Sequence, residues 1–262
     1  MDLTLPALLV GASALAGATL AAGAAWLVRQ RAPVGNAAEA AGRDRDRRAR
    51  ELGWAYDETS VGDSVFSVRG EADGIKWKVR FRADRKRPNE SCVLTWASRS
   101  VQGPATELRL LGRARYRRGK AHIEPAIERP ASVILDPREI ALAQARAEFA
   151  ERTPPAEVGS SAFRNRFVTV ARNHRLARSL VDSKVEGLLM QWPSRPKARP
   201  EDVLSIWLDW QGLRIDVAAP WTTMADIEHL VALGLAVATG YRRHAAAPGV
   251  TRWMETQPSG VT

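Results

Sequence analysis

The chain has 262 residues, 45% of them hydrophobic and 26% charged, with a formal net charge of +10. This composition is ordinary for a globular protein and excludes wholesale disorder, while a single cysteine, Cys92, excludes an internal disulfide and any cysteine-built zinc cluster. The charge is uneven: residues 29–120 carry 22 Lys+Arg against 12 Asp+Glu, whereas residues 121–262 carry 17 against 16.

The N-terminal stretch Leu5 to Val28 contains no charged residue. As a helix it would reach about 36 Å, enough to cross a hydrocarbon core of about 30 Å. No Lys or Arg precedes it, as a signal-peptide n-region would require, so residues 1–28 are expected to form a retained transmembrane anchor. Arg29, Arg31, Arg43, Arg45, Arg47, Arg48 and Arg50 follow the span. The positive-inside rule then places a single-pass chain in a plasma membrane with its C-terminal body in the cytoplasm. Ser13, Gly17 and Ala21 recur at four-residue spacing, which permits close helix packing and a homodimer, although an Ala- and Gly-rich span also yields such spacing by chance.

Residues 29–50 read as a basic neck whose Pro33, Gly35, Asn36 and Gly42 discourage a long rigid helix. Residues 51–152 read as an antiparallel β-rich unit ending in a helix. Its clearest strand is Ile75 to Arg82, where Ile75, Trp77, Val79 and Phe81 alternate with Lys76, Lys78, Arg80 and Arg82. Cys92 to Ala97 and Glu107 to Tyr116 read as further strands, with Trp54, Trp77 and Trp96 as core anchors. Asp136-Pro137 opens a helix running to about Arg152.

Residues 153–162 form a Pro- and Ser-containing linker, and residues 163–244 read as a two-layer β-α-β-β-α unit. Its elements are a strand from Phe163 to Ala171, a helix from His174 to Trp192, a hairpin of Val203 to Trp210 with Leu213 to Val217, and a last helix opened by Thr223 and Asp226. Residues 245–262 read as a disordered tail. The fold class expected is therefore α+β behind an N-terminal transmembrane helix.

Candidate chemistry is sparse. The histidines His122, His174, His229 and His244 form no pair at metal-ligand spacing, although Asp226 and His229 are close enough on one helix to touch. Gly112 to Lys120 lacks the spacing and the final hydroxyl of a phosphate loop. No catalytic, cofactor or metal site is assigned. The one constellation is the basic strand face Lys76, Lys78, Arg80 and Arg82, extended by Arg85, Lys86 and Arg87. It serves as a solvated face protecting an edge strand, as a surface against anionic lipid headgroups, or as a nucleic-acid surface.

The run Gly53-Trp54-x-Tyr56, Gly62-Asp63-x-x-Phe66, Gly70, Gly74 and Trp77, and the later Phe163-x-x-x-Phe167-x-Val with Leu188-Leu189, together resemble uncharacterised bacterial single-pass membrane-anchored proteins carrying a domain of unknown function. The resemblance spans most of residues 51–240 and implies a bacterial inner-membrane setting, with no reaction and no catalytic residues to carry over. The expectation is a membrane-anchored, non-enzymatic module that binds an unknown protein partner or the membrane surface. The alternatives are an enzyme with a site between the two units, for which Asp209 and Asp216 are the first carboxylates to inspect, and a nucleic-acid binder.

Overall fold

A computed structural model describes residues 34–58, 64–83, 92–103, 105–118, 144–146, 148–150, 152–192, 199–219 and 222–247. The expected span 5–28, the start of the neck and the tail beyond residue 247 lie outside the described residues. Among the described residues no helix is long and apolar enough to cross a membrane. The chain divides into two compact units, Met1–Asp44 and Arg45–Thr262. In the first, the described residues are helical.

The division falls within helix α1, Val34–Glu51. A helix through the neck departs from the sequence expectation. Gly35 and Gly42 each cost about 1 kcal/mol against alanine, but the Ala-rich remainder favours helix and charge pairs at helical spacing add to it. Those pairs are Glu39 with Arg43, Asp46 with Arg50, and Arg48 with Glu51. In the second unit the end of α1 is fixed by tertiary contacts. Ala49 is fully buried, the Arg45 guanidinium lies 4.6 Å above the Phe66 ring, and Arg48 donates to Glu228 at 2.8 Å.

The second unit is α+β, built on one antiparallel sheet of nine strands. These are β1 (Ala55–Asp57), β2 (Ser64–Ala72), β3 (Ile75–Ala83), β4 (Cys92–Ser98), β5 (Leu108–Gly112), β6 (Pro155–Ala156), β7 (Phe167–Ala171), β8 (Leu204–Asp209) and β9 (Gly212–Val217). Their order is β1-β2-β3-β4-β9-β8-β5-β7-β6. The strands expected to form separate units therefore share this sheet, because β9 lies between β4 and β8. The expected linker contributes β6, which pairs with β7. The β2–β3 turn is made by Asp73 and Gly74, both at positive φ (51° and 70°), the backbone of a type I′ hairpin.

Among the described residues the helices with defined bounds in this unit are α2 (Arg113–Arg118), α3 (Ser161–Arg166), α4 (His174–Leu180), α5 (Ser183–Met190), α6 (Pro200–Val203) and α7 (Met224–Ala245); residues 144–146 and 148–150, within the helix expected to run to about Arg152, are helical too. Three boundaries differ from the sequence expectation, each through local polar chemistry or the end of a ladder. The strand expected from Phe163 begins at Phe167, because the Ser160 hydroxyl accepts from the Phe163 amide and starts α3. The helix expected from His174 to Trp192 is broken, because Asp182 caps a new helix by accepting from the Val185 amide at 3.0 Å. The strand expected to Tyr116 stops at Gly112, and Arg113–Arg118 is helical. The last helix begins as expected, with a capping box between Thr223 and Asp226.

Strand alternation sends Phe66, Val68, Ile75, Trp77, Val79, Phe81, Leu94, Trp96, Ile206 and Ile215 to an inner face, where they pack against Ile227, Leu230, Leu233 and Val237 of α7. Trp96 and Trp77 are buried as expected, and half-buried Trp54 meets Trp77 edge-on with ring centroids 4.9 Å apart. The outer face has two parts. Over β5, β7 and β8 it is covered, with Phe149 and Tyr116 packed on Val168 and Val170. Over β2, β3 and β4 it carries the exposed and half-exposed polar residues of those strands.

Candidate functional site

Lys76, Lys78, Arg80 and Arg82 occupy that outer face as the period-two pattern predicts; Lys76 and Arg80 are exposed, Lys78 and Arg82 half-buried. Arg85, Lys86 and Arg87 lie outside the described residues. The edge-strand role does not hold: β3 is paired on both sides, to β2 and to β4. These cations therefore protect no exposed ladder.

The register arranges the outer face in cross-strand rows. One row runs Ala55, Arg69, Lys78, Ala97, Arg214, Trp207, Arg109, and the next runs Asp57, Ser67, Arg80, Thr95, Asp216, Ser205, Leu111. Arg69 thus stands directly opposite Lys78, with Arg80 two residues along β3. Like charges placed directly opposite destabilise a sheet. Among the described residues no carboxylate lies within ion-pair distance of Arg69, Lys76, Lys78 or Arg80. Burial, then the nearby Arg80 and Arg69, push the Lys78 ammonium below the usual lysine range, with Asp57 opposing them.

Arg69 belongs to this site and was missed in the sequence, because β2 lacks the strict alternation of β3. The available signal was its two-residue spacing from Ser67 and Glu71. Toward the sheet centre the face becomes internally satisfied. Asp216 accepts from the Thr95 hydroxyl at 2.7 Å and from Arg214 Nε at 2.7 Å.

The two carboxylates inspected for catalysis are not a pair. Asp209 is fully buried and accepts from Arg146 at 2.8 Å and from the Gln211 amide at 2.8 Å, stapling the β8–β9 turn. Asp209 pairs with Gly212 and Asp216 with Ser205, four residues apart along the hairpin, or about 13 Å. That separation is too long for two carboxylates to flank one scissile bond. Asp226 completes the α7 cap, while His229 Nε2 lies 2.8 Å from the Leu188 carbonyl and edge-on to Trp192. Cys92 is buried and its thiol is pushed up by that burial, away from nucleophilic chemistry. Among the described residues no cluster of three or more His, Cys, Asp or Glu side chains is placed to hold a metal ion.

A shallow cavity of about 380 Å³ opens beside the β8–β9 turn, lined among others by Trp210, Arg172, Arg152, Glu148 and Phe149. Its cations are partnered, Arg152 by Glu148 at 2.8 Å and Arg172 by Glu107 at 3.1 Å. Comparison of the chain with protein-family models, with curated proteins and with solved structures finds no match.

Proposed function

We propose that the chain is a membrane-anchored, non-enzymatic module whose β2–β3–β4 face lies against an anionic membrane surface. The observation that carries this reading is the Arg69–Lys78 juxtaposition, with Arg80 beside it and, among the described residues, no carboxylate in ion-pair range. A sheet that keeps such a repulsive cluster gains when an external anion arrives. Each cation near an anionic leaflet contributes about 1 kcal/mol, so Arg69, Lys76, Lys78 and Arg80 together supply roughly 4 kcal/mol, millimolar affinity for a free protein. A millimolar contact is useful where a tether supplies a comparable local concentration. Residues 5–28 are the proposed tether, in a bacterial inner membrane with the body cytoplasmic.

Nucleic acid is the weaker reading, because base stacking needs exposed aromatics and Phe66, Trp77, Phe81 and Trp96 all turn to the inner face. A homodimer through this face would press like charges together.

The test keeps the full chain in zwitterionic micelles and titrates short-chain phosphatidylglycerol. Wild type is expected to bind with an affinity that falls as salt rises, and the variant with Lys76, Lys78, Arg80 and Arg82 all changed to Ser to lose that binding. Equal binding by both proteins, or none by wild type, overturns the proposal. A periplasm-only reporter active at the C-terminus overturns the topology.

A further inference from the structure

Resting on the anionic-surface reading, we infer that Arg69, Lys78 and Arg80 form a subsite for a phosphomonoester, a dianionic phosphate with three terminal oxygens, in preference to a phosphodiester. Arg69 and Lys78 are register partners, so their Cβ atoms stand about 5 Å apart. Arg80 lies on the same face, about 7 Å from Lys78 along the strand. Its register partners are the small residues Ser67 on β2 and Thr95 on β4. Three cations of this spacing converge within reach of one phosphate group. The two guanidinium forks suit paired N–H contacts to phosphate oxygens, and the ammonium acts as a point charge between them.

Among the described residues this is the point of the face where two cations stand directly opposite each other. Lys76 faces Glu71 across the β2–β3 ladder, and Arg82 faces Val93 on β4. Further toward the sheet centre, Arg214 is engaged by Asp216. Among the described residues the acidic neighbours of the triad are Asp57, in the row of Arg80, and Glu71, two residues from Arg69 along β2. Among the described residues, Arg69, Lys76, Lys78 and Arg80 against Asp57 and Glu71 leave an excess of two positive charges. A phosphomonoester carries −1.5 to −2 near neutral pH and matches that excess, whereas a diester brings a single charge. Burial first, then Arg80 and Arg69, depress the Lys78 ammonium, and Asp57 opposes them.

The experiment uses the full chain in zwitterionic micelles and three probes followed by calorimetry: short-chain phosphatidic acid, short-chain phosphatidylglycerol and inorganic phosphate. Two variants each remove two charges from the same face, Arg69→Gln with Lys78→Gln, and Lys76→Gln with Arg82→Gln; thermal melts establish that both fold. Wild type is expected to bind phosphatidic acid about tenfold more tightly than phosphatidylglycerol. The Arg69/Lys78 variant is expected to lose that ratio, and the Lys76/Arg82 variant to weaken both lipids while keeping it. Inorganic phosphate that displaces phosphatidic acid assigns the subsite to free phosphate, and phosphatidic acid binding indifferent to it assigns a lipid headgroup; either supports the subsite. Equal affinities for the two lipids in wild type, or the same loss of ratio in both variants, overturns the subsite and leaves the anionic-surface reading standing. Binding of neither lipid overturns both.

Discussion

Arg69 on β2 and Lys78 on β3 are direct register partners on the same face of the sheet, two cations where a sheet built for stability alone would place opposite charges. Two register steps away, at the next position on this face, Glu71 stands opposite Lys76, so the strands do place opposite charges there. The difference between the two steps localises the repulsion to one part of the ladder. That part is the centre of the proposed anion-binding face.

Arg69→Glu replaces the like-charge contact with an opposite-charge pair to Lys78. We expect the variant to be more stable by about 0.5–1 kcal/mol, raising the melting temperature by about 1–4 °C for a body of this size. We expect the same variant to bind anionic lipid more weakly. A melting curve in low salt and a lipid titration read the two effects. Lower stability in the variant would show that Arg69 is held by interactions other than those described.

The Arg146–Asp209 pair has both side chains buried, at 3% and 1% exposure, and the Arg146 guanidinium also lies 4.9 Å above the Trp207 ring. Removing one partner strips the other charge, held away from water, of this ion pair. Asp209→Ala is expected to cost about 3–5 kcal/mol in denaturant unfolding. Replacing both partners, Arg146→Met with Asp209→Leu, is expected to recover only part of that loss, because the Gln211 amide still loses its acceptor. A single variant within 1 kcal/mol of wild type would mean the pair is wetter than its geometry implies.

Much of the sheet was legible because alternation encodes it locally. β3 reads directly from Ile75 to Arg82, and the β8–β9 hairpin and the α7 cap carry their own turn and capping chemistry. Register across the sheet is not local. Nothing in the sequence near Leu213 to Val217 indicates that β9 inserts between β4 and β8, so two units were expected where one sheet forms. The same limit hid the site: Lys76, Lys78, Arg80 and Arg82 stood out within one strand, but Arg69 joined them only through cross-strand pairing. The break at Asp182 was visible as a capping residue, yet apolar spacing continued across it from Leu180 to Val185 and outweighed it.

Gly234 of α7 crosses directly beneath Trp96, where a Cβ would fall 2.3 Å from the indole. Gly234→Ala is therefore expected to destabilise by about 1–3 kcal/mol, despite alanine's better helix propensity. Gly187 of α5 is the control, since a Cβ there meets nothing within 4 Å. Gly187→Ala is expected to stabilise by roughly 0.5–1 kcal/mol. Urea midpoints for the two variants should move in opposite directions; a shared direction would place α7 farther from the sheet.

Asp182 gives the fold a pH dependence whose sign follows from its surroundings. Burial alone would raise its carboxyl, but the Val185 amide and the Arg243 guanidinium, joined by the Lys184 amide, outweigh that and hold it below its ordinary value of 3.8. A carboxylate depressed in the folded state adds stability that is present above the ordinary value and is lost as pH falls through the folded one. Asp182→Asn keeps a competent cap and removes the charge. It should be less stable than wild type at neutral pH by a few tenths to about 1 kcal/mol, because the Arg243 pair is partly exposed. Denaturation midpoints measured from pH 7 downward should converge as the wild-type carboxylate protonates. A gap that stayed constant through the acid range would assign the loss to helix capping and not to the charge.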